Sequence, residues 1–170
     1  KDKCIKKEHK SLEIIRIGTC GALQENIPVD SFILSTYGLG FDGLLSFYNP
    51  IYENDEIALQ KAFSQQTPWP DDANRPYFVK GNKELGNKIG KGMYSGITAT
   101  ANGFYGPQGR KLRLTTKVHD MNKFLNRFEY KNHKVLNFEM ETSALYGLSA
   151  LLGHKSCTVC AVIGLSLIHI

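Results

Sequence analysis

Short apolar runs alternate with stretches of helical spacing along this chain, and that alternation restricts it to an α/β fold. The pattern predicts strands at residues 12–17, 32–36, 94–101, 134–137 and 156–163. It predicts helices at 54–65, with Ile57, Leu59, Ala62 and Phe63 on one face, and at 82–89, where Gly86 weakens the pattern. A third helix is predicted at 121–128, with Met121, Phe124, Leu125 and Phe128 inward. A fourth follows Glu141, with Leu145, Leu148, Leu151 and Leu152 as its apolar face and Gly153 as its C-cap. The first strand is expected to end at Gly18, in a small-residue turn. Gly38 to Tyr48 is a Gly-punctuated loop carrying Asp42, and Pro68-Trp69-Pro70-Asp71-Asp72 is a surface loop. Periodicity does not give the strand order.

At 170 residues the chain is one domain or a large part of one. Its apolar fraction of 42% and charged fraction of 22% are those of a globular protein. The net charge of +5 is modest. Lysines gather at Lys1, Lys3, Lys6, Lys7 and Lys10 and again over residues 80–91, but without the interleaved aromatics of a nucleic-acid groove. They read as solvated faces, so no nucleic-acid partner is expected. No segment has the length of a membrane span. Cys157 and Cys160 have a zinc-like spacing, yet no second ligand pair follows them. Lying in a predicted strand, they read as buried core thiols of a reducing cytoplasm, with no metal.

Both ends of the sequence are unusual. The N-terminus reads as cut, entering a core strand directly from a charged run. Residues 164–170, Gly-Leu-Ser-Leu-Ile-His-Ile, carry no acid, Lys or Arg. They read as a non-native tail, which makes residues 1–163 the partial domain and removes His169 from the catalytic candidates.

Three places carry chemistry. In Asn137-Phe138-Glu139-Met140-Glu141 a strand hands over to a helix, and a carboxylate near a helix N-terminus suits a polyol such as a sugar diol. Acidic residues are also common in first turns, so the local pattern equally describes an ordinary helix start. Arg16 precedes Gly18, Thr19 and Gly21; an arginine beside a glycine-rich backbone suits an anion such as phosphate, or is incidental to a turn. Gln108 and Arg110 follow Phe104-Tyr105 in a Gly/Pro loop. Gln offers a donor and an acceptor and Arg only donors, which suits a ligand carrying both carbonyl and N–H groups, or else a polar surface loop.

The blocks Ile15-Arg16-Ile17-Gly18-Thr19-Cys20-Gly21-Ala22-Leu23-Gln24, Gly96-Ile97-Thr98-Ala99, Gly103-Phe104-Tyr105-Gly106-Pro107-Gln108-Gly109-Arg110 and Asn137-Phe138-Glu139-Met140-Glu141 occur in this order. Together they resemble the nucleoside phosphorylase superfamily, and within it the uridine phosphorylases. The resemblance implies a three-layer α/β/α sandwich around a mixed sheet curled into a partly closed barrel, incomplete in this chain. It implies phosphate binding by Arg16 and Thr19, ribose binding by Met140 and Glu141, and base binding by Gly21, Phe104, Gln108 and Arg110. Glu141 and Arg110 are then the catalytic pair, the one holding the sugar and the other the departing base. Glu139 is expected in a supporting role, because two carboxylates so close together cannot flank one bond from opposite faces. The resemblance further implies a nucleoside and inorganic phosphate as substrates and no metal or organic cofactor. It also implies a homo-oligomer, dimer or hexamer when full length, in which a neighbouring subunit lends a His. A purine phosphorylase, a nucleosidase and a non-catalytic nucleoside-binding protein are the alternatives.

Overall fold

A computed structural model describes residues 8–166. The strands are β1 (Glu13–Ala22), β2 (Phe32–Gly40), β3 (Tyr77–Lys80), β4 (Tyr94–Thr100), β5 (Glu129–Tyr130), β6 (His133–Glu139) and β7 (Lys155–Leu165). The helices are α1 (Asn54–Gln66), α2 (Lys83–Ile89), α3 (Met121–Arg127) and α4 (Thr142–Leu151). The sheet is mixed, in the order β1-β7-β2-β4-β6-β5, with β3 paired to β2. β1 and β7 run parallel, as do β2 with β4 and β4 with β6, while β7 lies antiparallel to β2. At its end β1 also pairs with β6, Gly21 opposite Phe138 and Ala22 opposite Asn137, which closes five strands into a barrel. The expected α/β class with a partly barrel-like sheet is the fold observed.

That closure explains the first departure from the sequence reading. β1 does not stop at Gly18. It continues to Ala22 through a bulge between Cys20 and Gly21, where it leaves the simple β7 ladder and meets β6. Bulges and strand glycines mark barrel corners, so the small residues that read as a turn belong to a bent strand. β3 and β5 were not predicted; with four and two residues they are too short for a periodic signal.

The end of the chain also differs from expectation. Gly164 and Leu165 belong to β7, paired with Gly21 and Ala22, and Ser166 N–H donates to the Ala22 carbonyl at 2.7 Å. The rest of that heptad, with His169, and the N-terminal residues through Lys7, including Cys4, lie outside the described residues.

The main core lies where α1 and α3 cover the sheet. Phe63 of α1 sits among Phe41, Trp69, Phe78, Phe124 and Phe128 with ring centroids 5.3–6.4 Å apart. A second cluster, Cys20, Ala22, Ile27, Ile33, Leu136, Cys160 and Val162, lies among the strands that close the barrel. No helix among the described residues is long and apolar enough to cross a membrane.

Helix α4 reverses the expected orientation. It buries Ser143, Tyr146, Gly147 and Ser149, while Leu151 and Leu152 are exposed and Leu145 and Leu148 half-buried. The reason is close approach. A Cβ at Gly38 of β2 would lie 2.9 Å from the Ser143 Cα, so only a small-residue face fits against the sheet there. Gly153 (φ 70°) follows the C-cap in the left-handed conformation, as the sequence predicts.

Tyr146 anchors this helix. Its hydroxyl donates to the Ser35 carbonyl at 2.7 Å and accepts the Thr158 N–H at 2.8 Å, tying α4 to β2 and β7. In Tyr146→Phe both backbone groups lose a buried partner, an expected cost of about 1–3 kcal/mol. Urea unfolding of the variant checks this; a midpoint equal to wild type would show that water replaces the hydroxyl.

Candidate active site

Arg16, Glu139, Met140 and Glu141 gather where β4 and β6 finish and their loops begin. β6 ends at Glu139, paired with Thr100 at the end of β4. The Glu139 carboxylate then turns back on the helix start. It accepts the Glu141 N–H at 3.0 Å, the Thr142 N–H at 2.9 and 3.1 Å, and the Thr100 hydroxyl at 2.6 Å. Thus Glu139, and not Glu141, meets the open amides of α4, a fixed anion at the positive end of the helix. Glu141 occupies the N-cap position but makes no side-chain capping bond.

Glu141 points instead toward Arg16. The Arg16 guanidinium bridges the two carboxylates, Nη2 on Glu141 Oε2 and Nη1 on Glu139 Oε2 at 3.2 Å. Their surroundings differ: the Glu139 side chain is 1% exposed and that of Glu141 57%. Nη1 also donates to Cys160 Sγ at 3.3 Å. Burial alone would lower the Arg16 pKa, but Glu139, Cys160 and Glu141 outweigh it and raise it above the ordinary value. Met140, between the two glutamates, is 42% exposed on the same junction.

The second cluster lies in the loop that follows β4. The Arg110 guanidinium stacks 4.0 Å from the Phe104 ring centroid. Its Nη1 donates to the Phe104 carbonyl at 2.6 Å and to Gln108 Oε1. Burial lowers the Arg110 pKa from its ordinary value, although an arginine stays charged. Gln108 is buried, and its amide nitrogen has no hydrogen-bond partner among the described residues. Phe104, Gln108 and Arg110 thus form one cluster in this loop.

Two predicted residues stand apart. β1 is regular up to Cys20, so Arg16, Gly18 and Cys20 share one face and Thr19 takes the other, with Ile15 and Ile17. Thr19 is exposed and its hydroxyl makes no hydrogen bond among the described residues. At Gly21 a Cβ would lie 2.2 Å from the Ser166 hydroxyl, so Ser166 covers that glycine. Sequence reasoning passed over the support behind Glu139. Ser143 N–H donates to Thr100 Oγ1 at 3.0 Å, and the Ser143 hydroxyl to Asp42 Oδ2 at 2.8 Å. Asp42 also accepts the Tyr77 hydroxyl at 2.9 Å. Asp42 was visible only as an acid in a glycine loop; nothing in the sequence ties it to Ser143.

A cavity of about 1070 Å³ opens behind the Arg110 loop, lined by Phe41, Trp69, Tyr105, Leu112 and Met121 among others. Arg110 is its one link to the clusters above; Arg16, Glu139 and Glu141 do not border it. The Arg16–Glu139–Glu141 cluster therefore sits outside this apolar space. Among the described residues no group of three or more His, Cys, Asp or Glu is placed to hold a metal. Cys157 and Cys160 are buried free thiols.

A guanidinium shared by two carboxylates where the parallel strands β4 and β6 end, with a Gln–Arg cluster in the loop after β4, lies where α/β folds commonly place their ligand sites. A family model described as the phosphorylase superfamily matches residues 4–167, and the chain belongs to that superfamily. It is 28% identical to a uridine phosphorylase from Haemophilus influenzae, over 88% of this chain and 52% of that protein. It is 26% identical to a DeoD-type purine nucleoside phosphorylase from Colwellia psychrerythraea, over 92% of this chain and 53% of that one. A crystal structure of a Trypanosoma brucei nucleoside phosphorylase, described as showing uridine phosphorylase activity, superposes with a TM-score of 0.79. It is 28% identical and covers 88% of this chain and 53% of its own. The chain thus spans about half the length of the curated relatives it matches.

Proposed function

We propose that the protein carrying this chain is a pentosyltransferase that cleaves uridine with phosphate, giving uracil and ribose 1-phosphate. The observation that carries this reading is the Arg16 guanidinium shared between a buried and an exposed carboxylate, with the Gln108–Arg110 cluster in the loop that leaves the β4 end paired to Glu139. An incoming phosphate takes donors from Arg16, and Glu141, released, accepts the 2′ and 3′ hydroxyls of ribose beside Met140. Uracil lies against Phe104, where the Gln108 amide and Arg110 face its carbonyls. As the glycosidic bond lengthens, negative charge grows on the base and Arg110 stabilises it; Glu141 favours the positive charge growing on the sugar. Phosphate is the nucleophile, so the reaction calls for no metal or organic cofactor. The parts assigned to Thr19 and Gly21 rest on the resemblance, as does assembly into a homo-oligomer. Free buried thiols suit a reducing cytoplasm.

Uracil release from uridine is expected only when phosphate is supplied; equal rates with and without it would indicate a hydrolase. The match to a purine nucleoside phosphorylase supports a second reading, and the base platform separates the two. Gln108→Ala and Arg110→Ala should each cost about 2–4 kcal/mol of transition-state stabilisation with uridine, in the range of a lost oxyanion donor. A higher kcat/KM for inosine than for uridine, or uridine turnover unchanged in both variants, would favour the purine assignment.

A further inference from the structure

We propose that Cys160 is a positioning residue for anion recognition, its sulfur holding the Arg16 guanidinium in the gap left by Gly18. This inference rests on the assignment of Arg16 to phosphate.

The gap is set by strand register. Gly18 of β1 and Cys160 of β7 are directly paired across the parallel ladder. Arg16 and Gly18 share a face of β1, and the guanidinium lies forward along the strand, over the glycine. A Cβ on Gly18 would fall 2.6 Å from Arg16 Nη1 and 2.8 Å from its Cζ. The guanidinium therefore fills the side-chain space that Gly18 leaves empty, and the Cys160 sulfur forms the far wall, 3.3 Å from Nη1.

Cys160 is fully buried. The Cys20 thiol lies on the same face of β1, and the interaction of the two thiols raises the Cys20 pKa and lowers that of Cys160. Its sulfur is the buried acceptor that faces the guanidinium.

The consequence appears once the ligands arrive. Arg16 has three partners: Glu141, Glu139 and Cys160. Glu141 is the exposed one, and in the proposed reaction it leaves Arg16 for the ribose hydroxyls. Glu139 and Cys160 then remain as the buried anchors that fix where the guanidinium fork points. Bidentate recognition of an oxyanion depends on that orientation. Removing the sulfur leaves Arg16 charged and present, but free to rotate about Glu139.

The test uses the full-length protein and four variants. Cys160→Ala removes the acceptor, and Cys160→Ser keeps a smaller one. Gly18→Ala fills the gap and displaces only the flexible end of Arg16, while Arg16→Ala removes the group itself. In Cys160→Ala and Gly18→Ala the KM for phosphate is expected to rise about five- to tenfold, the loss of one hydrogen bond to a charged group. The nucleoside KM should stay within about twofold, and Cys160→Ser should recover most of the phosphate affinity. Calorimetric titration with inorganic phosphate alone should give the same ranking. A cavity effect at Cys160 would instead lower the melting temperature and disturb both substrates together. Gly18→Ala leaves the core intact and so keeps the question open to measurement even if Cys160→Ala folds poorly. Unchanged phosphate affinity in both Cys160→Ala and Gly18→Ala, beside a large loss in Arg16→Ala, overturns the positioning role alone. Equal behaviour of Cys160→Ser and Cys160→Ala overturns it too. Unchanged phosphate affinity in Arg16→Ala overturns the phosphate assignment on which it rests.

Discussion

Glu139→Ala is expected to lose about 3–5 kcal/mol of folding stability, the cost of removing one partner from a buried, hydrogen-bonded ion pair. The carboxylate accepts from Arg16, from the Thr100 hydroxyl and from the first amides of α4, and its side chain is 1% exposed. Alanine leaves the Thr142 N–H buried without an acceptor and the half-buried guanidinium without its inner anchor. The helix start and the end of β4 then lose the group that joins them. Total stability of a domain is about 5–15 kcal/mol, so this loss is a large share of it. Glu139→Gln keeps one carbonyl oxygen for the amides and should lose markedly less. Urea titration decides, with both variants compared at an unchanged slope. Equal midpoints for Glu139→Ala and wild type would show that the α4 amides are satisfied by water and that Glu139 is not the cap.

The distinction between the two glutamates shows where sequence reasoning runs out. Alternation of strands and helices gave the α/β class, and the periods placed α1, β4 and β6 within a residue or two. The spacing Glu139-Met140-Glu141 marked the junction. Which acid turns toward the helix amides depends on the backbone at one residue, and no periodicity reports that. The path of β1 was obscured for a related reason. Gly18 and Gly21 read as turn residues because a turn is the commonest use of glycine, yet here they bend a strand into β6 and make room for Arg16. Barrel closure is a contact between residues more than a hundred positions apart, and so is the approach of Cys160 to Arg16. The leucines of α4 misled because helical periodicity finds an apolar stripe but does not say that Gly38 lets a small-residue stripe pack closer. The tertiary contact outweighed the local pattern.

Glu141→Ala should behave in the opposite way to Glu139→Ala: large loss of activity, little loss of stability. Its side chain is 57% exposed and caps nothing, so removing it is expected to change folding by no more than about 1 kcal/mol, the usual worth of an exposed ion pair. Its loss in turnover should be about 2–4 kcal/mol in kcat/KM for uridine, since the hydroxyl contacts that orient the sugar strengthen in the transition state. Two further readouts follow from the geometry. Glu141 competes with phosphate for Arg16, so phosphate affinity in Glu141→Ala should hold or rise while nucleoside turnover collapses. A carboxylate that accepts from a ribose diol discriminates against a sugar lacking one hydroxyl, so the preference for uridine over 2′-deoxyuridine should shrink in the variant. Steady-state kinetics on both nucleosides at several phosphate concentrations measure all three quantities. Parallel loss of phosphate affinity and nucleoside turnover would show that Glu141 supports Arg16 and does not hold the sugar. An unchanged preference between the two nucleosides would remove it from the hydroxyls altogether.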